Sequence, residues 1–199
     1  MRRRIVHFFA AVISLLALTF AGAAAAGDAT AVVKAKQTAL FDLLKQSTPE
    51  SQKKVAALFD EMLDYQTLAE SSLGSEWAPR SAAEKAEFSD LLKQLVRKAY
   101  EKNLKKILNF NVDYIGEDAV DSASMVKTRA KSKTDERADP IEISFKMVHK
   151  GGAWKVQDIV TEGVSLVSSY RSQFTKIVKK DGFPALIQKM KDKLAKGSI

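Results

Sequence analysis

The chain of 199 residues has no cysteine, two histidines and four prolines, and each scarcity narrows what it can be. Without cysteine there is no disulfide staple, no thiolate nucleophile and no sulfur donor for a zinc site. His7 falls in the N-terminal leader described below. That leaves His149, which continues an apolar alternation beside the Gly151 turn and reads as a half-exposed strand-end histidine, not as a base or metal ligand. No P-loop and no G-x-G-x-x-G turn occurs, so the chain is not itself a nucleotide-driven motor. No basic run is interleaved with stacking aromatics, which argues against nucleic acid as a partner. We therefore expect no catalytic residue, no metal site and no cofactor.

What is present begins with a leader. Arg2, Arg3 and Arg4 precede an apolar run from Ile5 to Phe20, followed by small residues ending in Ala24, Ala25 and Ala26. This is the layout of a secretory signal peptide, with cleavage expected after Ala26. The run is shorter than the roughly 20 residues that span a bilayer. Residues 27–199 are expected to form one exported domain with 29 basic and 24 acidic residues, because the leader removes three arginines and no acids.

Apolar spacing then divides the exported part into helices followed by strands. Val33, Leu40, Leu43 and Leu44 predict a helix from Asp28 to about Gln46, and Pro49 opens a second carrying Val55, Leu58, Phe59, Met62 and Leu63. Asp64 caps a short helix that ends at Gly74. Ser81 and Glu84 form a capping box ahead of a long helix with Phe88, Leu91, Leu92, Leu95, Ala99, Leu104 and Leu108 on one side.

Four strands are predicted at Phe110–Ile115, Ala119–Ala130, Ile141–Lys150 and Ala153–Val160, with turns at 116–118 and 151–152 and a charged loop at 131–139. Such short connections favour antiparallel pairing. The fold class is therefore α+β: a four-stranded antiparallel sheet covered on one face by several helices. Two further helices are expected, from Val164 to Lys180 and from Pro184 onward.

The stretch GAWKVQDIVTEGVSLVSSYRSQF, Gly152 to Phe174, carries the most information. Trp154, Val156 and Val160 recur at period two, and Val164, Val167, Tyr170, Phe174 and Ile177 at three or four, so a strand passes directly into a helix. Asp158 and Glu162 near Arg171 are expected to form an ion pair bracing that junction. Whether the shell closes over a plain core or keeps a hollow is open at this level.

This stretch resembles the signature of the MlaC family, also called the toluene-tolerance or Ttg family, of periplasmic phospholipid-binding proteins. LDYQTLAESSLGSEW, Leu63 to Trp77, is similar to a second family block, and the helix through Phe88, Leu91, Leu92, Tyr100 and Leu104 to a third. Departures occur at Leu63, Gln157 and Ser169, where the family more often has an aromatic, tyrosine and asparagine. The resemblance implies an apolar pocket between sheet and helices, at the upper end of the ~300–1,000 Å³ range of ligand sites. Its expected lining is Val126, Phe145, Met147, Trp154, Val156, Val164, Val167 and Tyr170, faced by Leu63, Leu68, Leu92 and Leu95.

The implied function is a periplasmic carrier that shuttles phospholipid between an outer-membrane lipoprotein complex and an inner-membrane ABC transporter with an MCE-domain subunit, with transient contact to the membrane surface. Lys176, Lys179, Lys180, Lys189, Lys191 and Lys193 are candidates for docking an acidic partner or lipid head groups. Two alternatives compete. One is an exported α+β enzyme acting on a small hydrophobic substrate through Asp158, Glu162 or His149; the other is an adaptor with a filled core.

Overall fold

The computed structural model describes residues 28–196, the side chains of 100–105 and 107 excepted; the expected leader and the side chain of Leu104 lie outside the described residues. Four helices come first: α1 (Asp28–Gln46), α2 (Pro49–Met62), α3 (Tyr65–Leu73) and α4 (Ala82–Ile107). A sheet follows, with strands β1 (Phe110–Val120), β2 (Ala123–Ser132), β3 (Ile141–Lys150), β4 (Ala153–Thr161) and β5 (Val164–Ser165), and then helices α5 (Leu166–Asp181) and α6 (Phe183–Lys196).

Local devices in the sequence set the helix starts. The Ser81 hydroxyl accepts from the Glu84 amide at 3.2 Å while the Glu84 carboxylate accepts from the Ser81 amide at 2.8 Å, the reciprocal box that satisfies two orphan donors. Thr48 and Ser51 do the same for α2, with Pro49 next in the chain. Asp64 caps α3 by accepting from the Thr67 amide at 3.2 Å and the Thr67 hydroxyl at 2.6 Å.

The sheet is an antiparallel meander in the order β1-β2-β3-β4-β5, with a fifth strand beyond the four expected. Three corrections to the expected strands share one cause: pairing register depends on the neighbouring strand. β1 runs on through Gly116 to Val120, because the pairing skips Ile115 in a bulge and then resumes opposite Lys127. A second bulge at Gln157 lies between the Lys146–Asp158 and Met147–Val156 pairs. It reverses the alternation of β4, so that Ile159 packs on the core in place of Val160.

Third, Glu162 (φ 50°) and Gly163 (φ 74°) form a two-residue turn of the kind hairpins favour. Val164 and Ser165 therefore pair back onto Thr161 and Val160 as β5. The helix consequently starts at Leu166, with Ser165 as its cap, and not at Val164.

One face of the sheet meets the helices. Val126 and Thr128 of β2 and Met147 of β3 are almost fully buried, while Lys127, Arg129 and Lys131 on the opposite face form cross-strand ion pairs with Asp118, Glu142 and Asp113. α3, α4, α5 and α6 pack around Phe88, which has no exposed surface. Its ring meets Phe174 edge-on at 5.5 Å, with Trp77 at 6.4 Å and Phe183 at 6.3 Å. Among the described residues no helix is long and apolar enough to cross a membrane.

Candidate functional site

A pocket of about 290 Å³ opens beside the β3–β4 hairpin, between it, α1 and the end of α2. The hairpin turns through Gly151 (φ 60°) and Gly152 (φ 79°), a left-handed pair that glycine adopts without strain. Met147, only 1% exposed, lies at the base, with Val32 of α1, Met62 of α2 and Trp154 of β4 as apolar walls. The rim is polar: Lys36, Glu61, His149 and Lys155. His149 stands opposite Trp154 in the strand register and meets its ring edge-on at 5.5 Å.

The pocket exists because of where α2 stops. Leu63 leaves the helix in an extended conformation (φ −91°, ψ 132°) and bridges in parallel to Val156, and the Asp64 amide donates to the Val156 carbonyl at 3.1 Å. The end of α2 is thereby pinned to the free edge of β4. Lys155 donates to the Glu61 carbonyl at 2.5 Å, and Lys36 reaches across from α1 to the Glu61 carboxylate at 2.5 Å. The hydrogen bond from Lys36 holds the Glu61 carboxyl below its ordinary range.

α1 is the wall held differently from the others. Of its 19 residues only Ala29, Val33 and Leu40 are buried. The Glu117 carboxylate of β1 accepts from the Thr30 amide (2.9 Å) and hydroxyl (2.5 Å), and from the Ser124 hydroxyl (2.5 Å). Tyr114 donates to Gln37, and burial pushes the Tyr114 hydroxyl up to about 12. Behind the pocket, Asp60 of α2 pairs with Arg97 and Lys93 of α4. Burial opposes the charge on Asp60, yet the hydrogen bonds from Arg97 and Lys93 prevail and its carboxyl lies below the ordinary value.

Of the expected lining residues, Met147 and Trp154 lie on this pocket. Leu63, Leu68, Leu92, Leu95, Val126, Val156 and Val167 are buried in the contiguous apolar core, with Phe145 and Tyr170 half-buried against it. Val164 is 62% exposed on β5, outside that core, for the reason given by the turn. Val32, Lys36, Glu61, Met62, Gly152, Ala153 and Lys155 were not expected at the pocket. Its volume, about 290 Å³, lies near the lower end of the usual range of ligand sites.

The reactive groups singled out from sequence do not converge. Asp158 accepts from the Ile159 amide (2.8 Å), the Val167 amide (3.1 Å) and the Ser165 hydroxyl (2.5 Å), so it braces the start of α5. Glu162 accepts from the Glu142 amide at 2.5 Å. Arg171 donates to the Ser71 carbonyl at 2.7 Å and lies against Gly74. In place of the expected ion pair, these groups make hydrogen bonds to backbone and to the Ser165 hydroxyl. Among the described residues there is no cluster of metal-ligating side chains. What remains is a site with a dry base and a charged rim, fit to hold an apolar segment whose polar end stays outside.

The family model described as MlaC protein matches residues 26–192. A stretch of 120 residues, 59% of the chain, is 28% identical to the intermembrane phospholipid transport system binding protein MlaC of Haemophilus influenzae, and it spans little more than half, 56%, of that protein. In fold the chain is similar to the phospholipid-binding protein from Ralstonia solanacearum, whose structure was solved in complex with a phospholipid. The two align with a TM-score of 0.74 at 22% identity, covering 86% of this chain and 99% of that one.

Proposed function

Since the chain belongs to the MlaC family, we propose that it is a periplasmic phospholipid carrier, a binding protein that moves lipid between membranes and performs no reaction on it. The observation that carries this reading is the pocket itself, which opens between the β3–β4 hairpin, α1 and the end of α2 with an apolar base and a charged rim. The family match and the likeness to a lipid-bound neighbour support it.

The energetics explain why such a carrier is needed and why it needs no chemistry. A diacyl lipid with about 30 methylenes loses roughly 24 kcal/mol if its tails meet water, at ~0.8 kcal/mol per methylene. A carrier has only to offer an environment as dry as the bilayer, so that loading and unloading are balanced exchanges. A pocket of about 290 Å³ accepts part of one tail. Full loading requires the layer between helices and sheet to part, and the α1 wall, with its three buried residues and polar ties, is the side where parting costs least.

On this reading the head group stays at the rim formed by Lys36, His149 and Lys155. The leader over residues 1–26 delivers the chain to the periplasm. Loading and unloading take place at the inner-membrane MCE-domain ABC transporter and the outer-membrane lipoprotein complex.

Native mass spectrometry of the protein purified from a bacterial periplasm should show bound phospholipid. Protein that is repeatedly empty and takes none from vesicles rejects the proposal. Ala153→Trp, which fills the pocket from its exposed side, should cut lipid uptake severalfold with helix and strand content unchanged, and Val164→Trp should leave uptake as it is. Equal uptake by both variants would place the lipid elsewhere.

A further inference from the structure

The charge of this chain is divided sharply along its length. α5 and α6 hold Arg171 and seven lysines against Asp181 and Asp192, which is 8 basic to 2 acidic or a net +6. The stretch 28–165 holds 21 basic and 22 acidic residues, a net −1. The basic excess of residues 28–196 therefore resides in two consecutive helices at the C-terminal end.

Much of this charge is not consumed within the fold. Lys189 pairs with Asp181 at 2.6 Å and Lys191 with Glu87 of α4 at 2.7 Å. Lys176, Lys179, Lys180 and Lys193 are exposed and form no ion-pair contact among the described residues, although the Lys180 charge acts on the neighbouring Asp181. Helix C-termini attract lysine, and Lys179, Lys180, Lys193 and Lys196 fall in last turns. The dipole does not account for Lys176, which lies at i, i+3 and i, i+4 to Lys179 and Lys180 on one face, where like charges repel. The inner side of α6 is fixed by Phe183, Leu186, Ile187, Met190 and Leu194, so the outer side is presented on a rigid support.

The composition of that outer side indicates the kind of partner. Its exposed residues are lysine, serine, glutamine, aspartate, alanine, proline and the tied Arg171. The exposed large apolar residues, Ile115, Val120 and Val164, lie on the sheet. Protein interfaces are enriched in tyrosine, tryptophan, methionine and arginine and depleted in lysine. Lysine charge with no aromatic or aliphatic anchor suits a diffuse anionic surface, where each lysine contributes about 1 kcal/mol and nothing inserts. We propose that the exposed lysine face of α5 and α6 docks this protein electrostatically, without insertion, on bilayers rich in anionic phospholipid. Docking rests on the carrier reading for its purpose, since it brings the pocket to its source of cargo, but not for its physics.

Flotation with phosphatidylcholine vesicles, with and without phosphatidylglycerol, tests it on the full exported chain. Wild type should float only with the anionic vesicles and be released by added salt. Lys176→Glu with Lys180→Glu should lower binding at least about tenfold, since two attractive charges of about 1 kcal/mol each become repulsive. Lys34→Glu with Lys53→Glu, on α1 and α2, makes the same change in net charge and should bind nearly as wild type does.

Equal loss in both double variants, with folding confirmed by circular dichroism, would reduce the effect to net charge and overturn the proposal. Failure of wild type to bind anionic vesicles at low salt would overturn it too, and would turn attention to an acidic protein as the partner. Bound lipid is scored separately by native mass spectrometry. An empty protein that still docks sinks the carrier reading alone, and a loaded protein that never docks sinks this proposal alone.

Discussion

Around Phe88 the helices close on one another through aromatic rings, whereas beneath α1 the interior is closed by hydrogen bonds and an ion pair over a hollow. At the first region Phe174 meets Phe88 edge-on at 5.5 Å and stacks on Tyr170 at 5.3 Å, and Arg80 lies over the Phe183 ring at 4.9 Å. At the second, Glu117 holds the first turn of α1, Tyr114 holds Gln37, and Lys36 holds Glu61. Dense apolar packing is stiff, since a moved ring leaves a void that nothing fills. The ion pair from Lys36 to the exposed Glu61 side chain can be exchanged for water at little cost. The contrast is between a body closed by ring packing and a wall closed by polar contacts, and the proposed carrier function makes that wall the side that yields.

Removing the keystone of the fixed region should have the largest effect. Phe88→Ala is expected to lower stability by about 3–5 kcal/mol in urea unfolding, because the ring has no exposed surface and its neighbours come from separate helices. A loss under about 1 kcal/mol would show that the rings collapse into the gap and that this region is no stiffer than the other.

Asp64 lies between the two regions, and its substitution should have an intermediate effect. It caps α3 and accepts from Lys150 at 2.8 Å, so Asp64→Ala should cost about 1–2 kcal/mol. Burial works to raise its carboxyl, but hydrogen bonds from Lys150 and Thr67 outweigh that and leave it below the ordinary value. A carboxyl depressed on folding binds its proton more readily in the unfolded chain. The stability it confers is therefore present above the unfolded value near ~3.9 and lost as pH falls through the lower folded value. Urea midpoints taken at neutral and acidic pH should fall less on acidification in Asp64→Asn than in wild type. An unchanged slope would remove Asp64 from the account.

The smallest effect is expected at the yielding wall. Lys36→Met removes the ion pair to a Glu61 side chain that is 63% exposed, and stability should change by less than about 1 kcal/mol. Lipid exchange with vesicles should become faster if this tie restrains α1. Large destabilisation with unchanged exchange would make α1 part of the fixed body and erase the distinction.

The helical half of the fold was legible because its determinants are local. Ser81 with Glu84, Asp64 ahead of α3 and Pro49 at the head of α2 mark helix starts within a few residues, and the alternation of Ile141, Ile143, Phe145 and Met147 marks β3 without reference to any other strand. The bulges at Ile115 and Gln157 carry no such mark, since each depends on how a partner strand registers against it. Val160 was placed inward for that reason, and Ile159 takes its place. Met147 and Trp154 were within reach as inward residues of their strands. Val32, Lys36, Glu61 and Met62 were not, because they meet the hairpin only after α1 and α2 have been laid across it.

By itself the sequence determined an α+β chain with a basic C-terminal helix pair and an apolar sheet face, both properties of residue type and short-range spacing. Only the tertiary structure decided where the interior is filled and where it stays open. That depends on volume left between elements distant in the chain, and such volume is a property of their mutual placement that no single segment encodes.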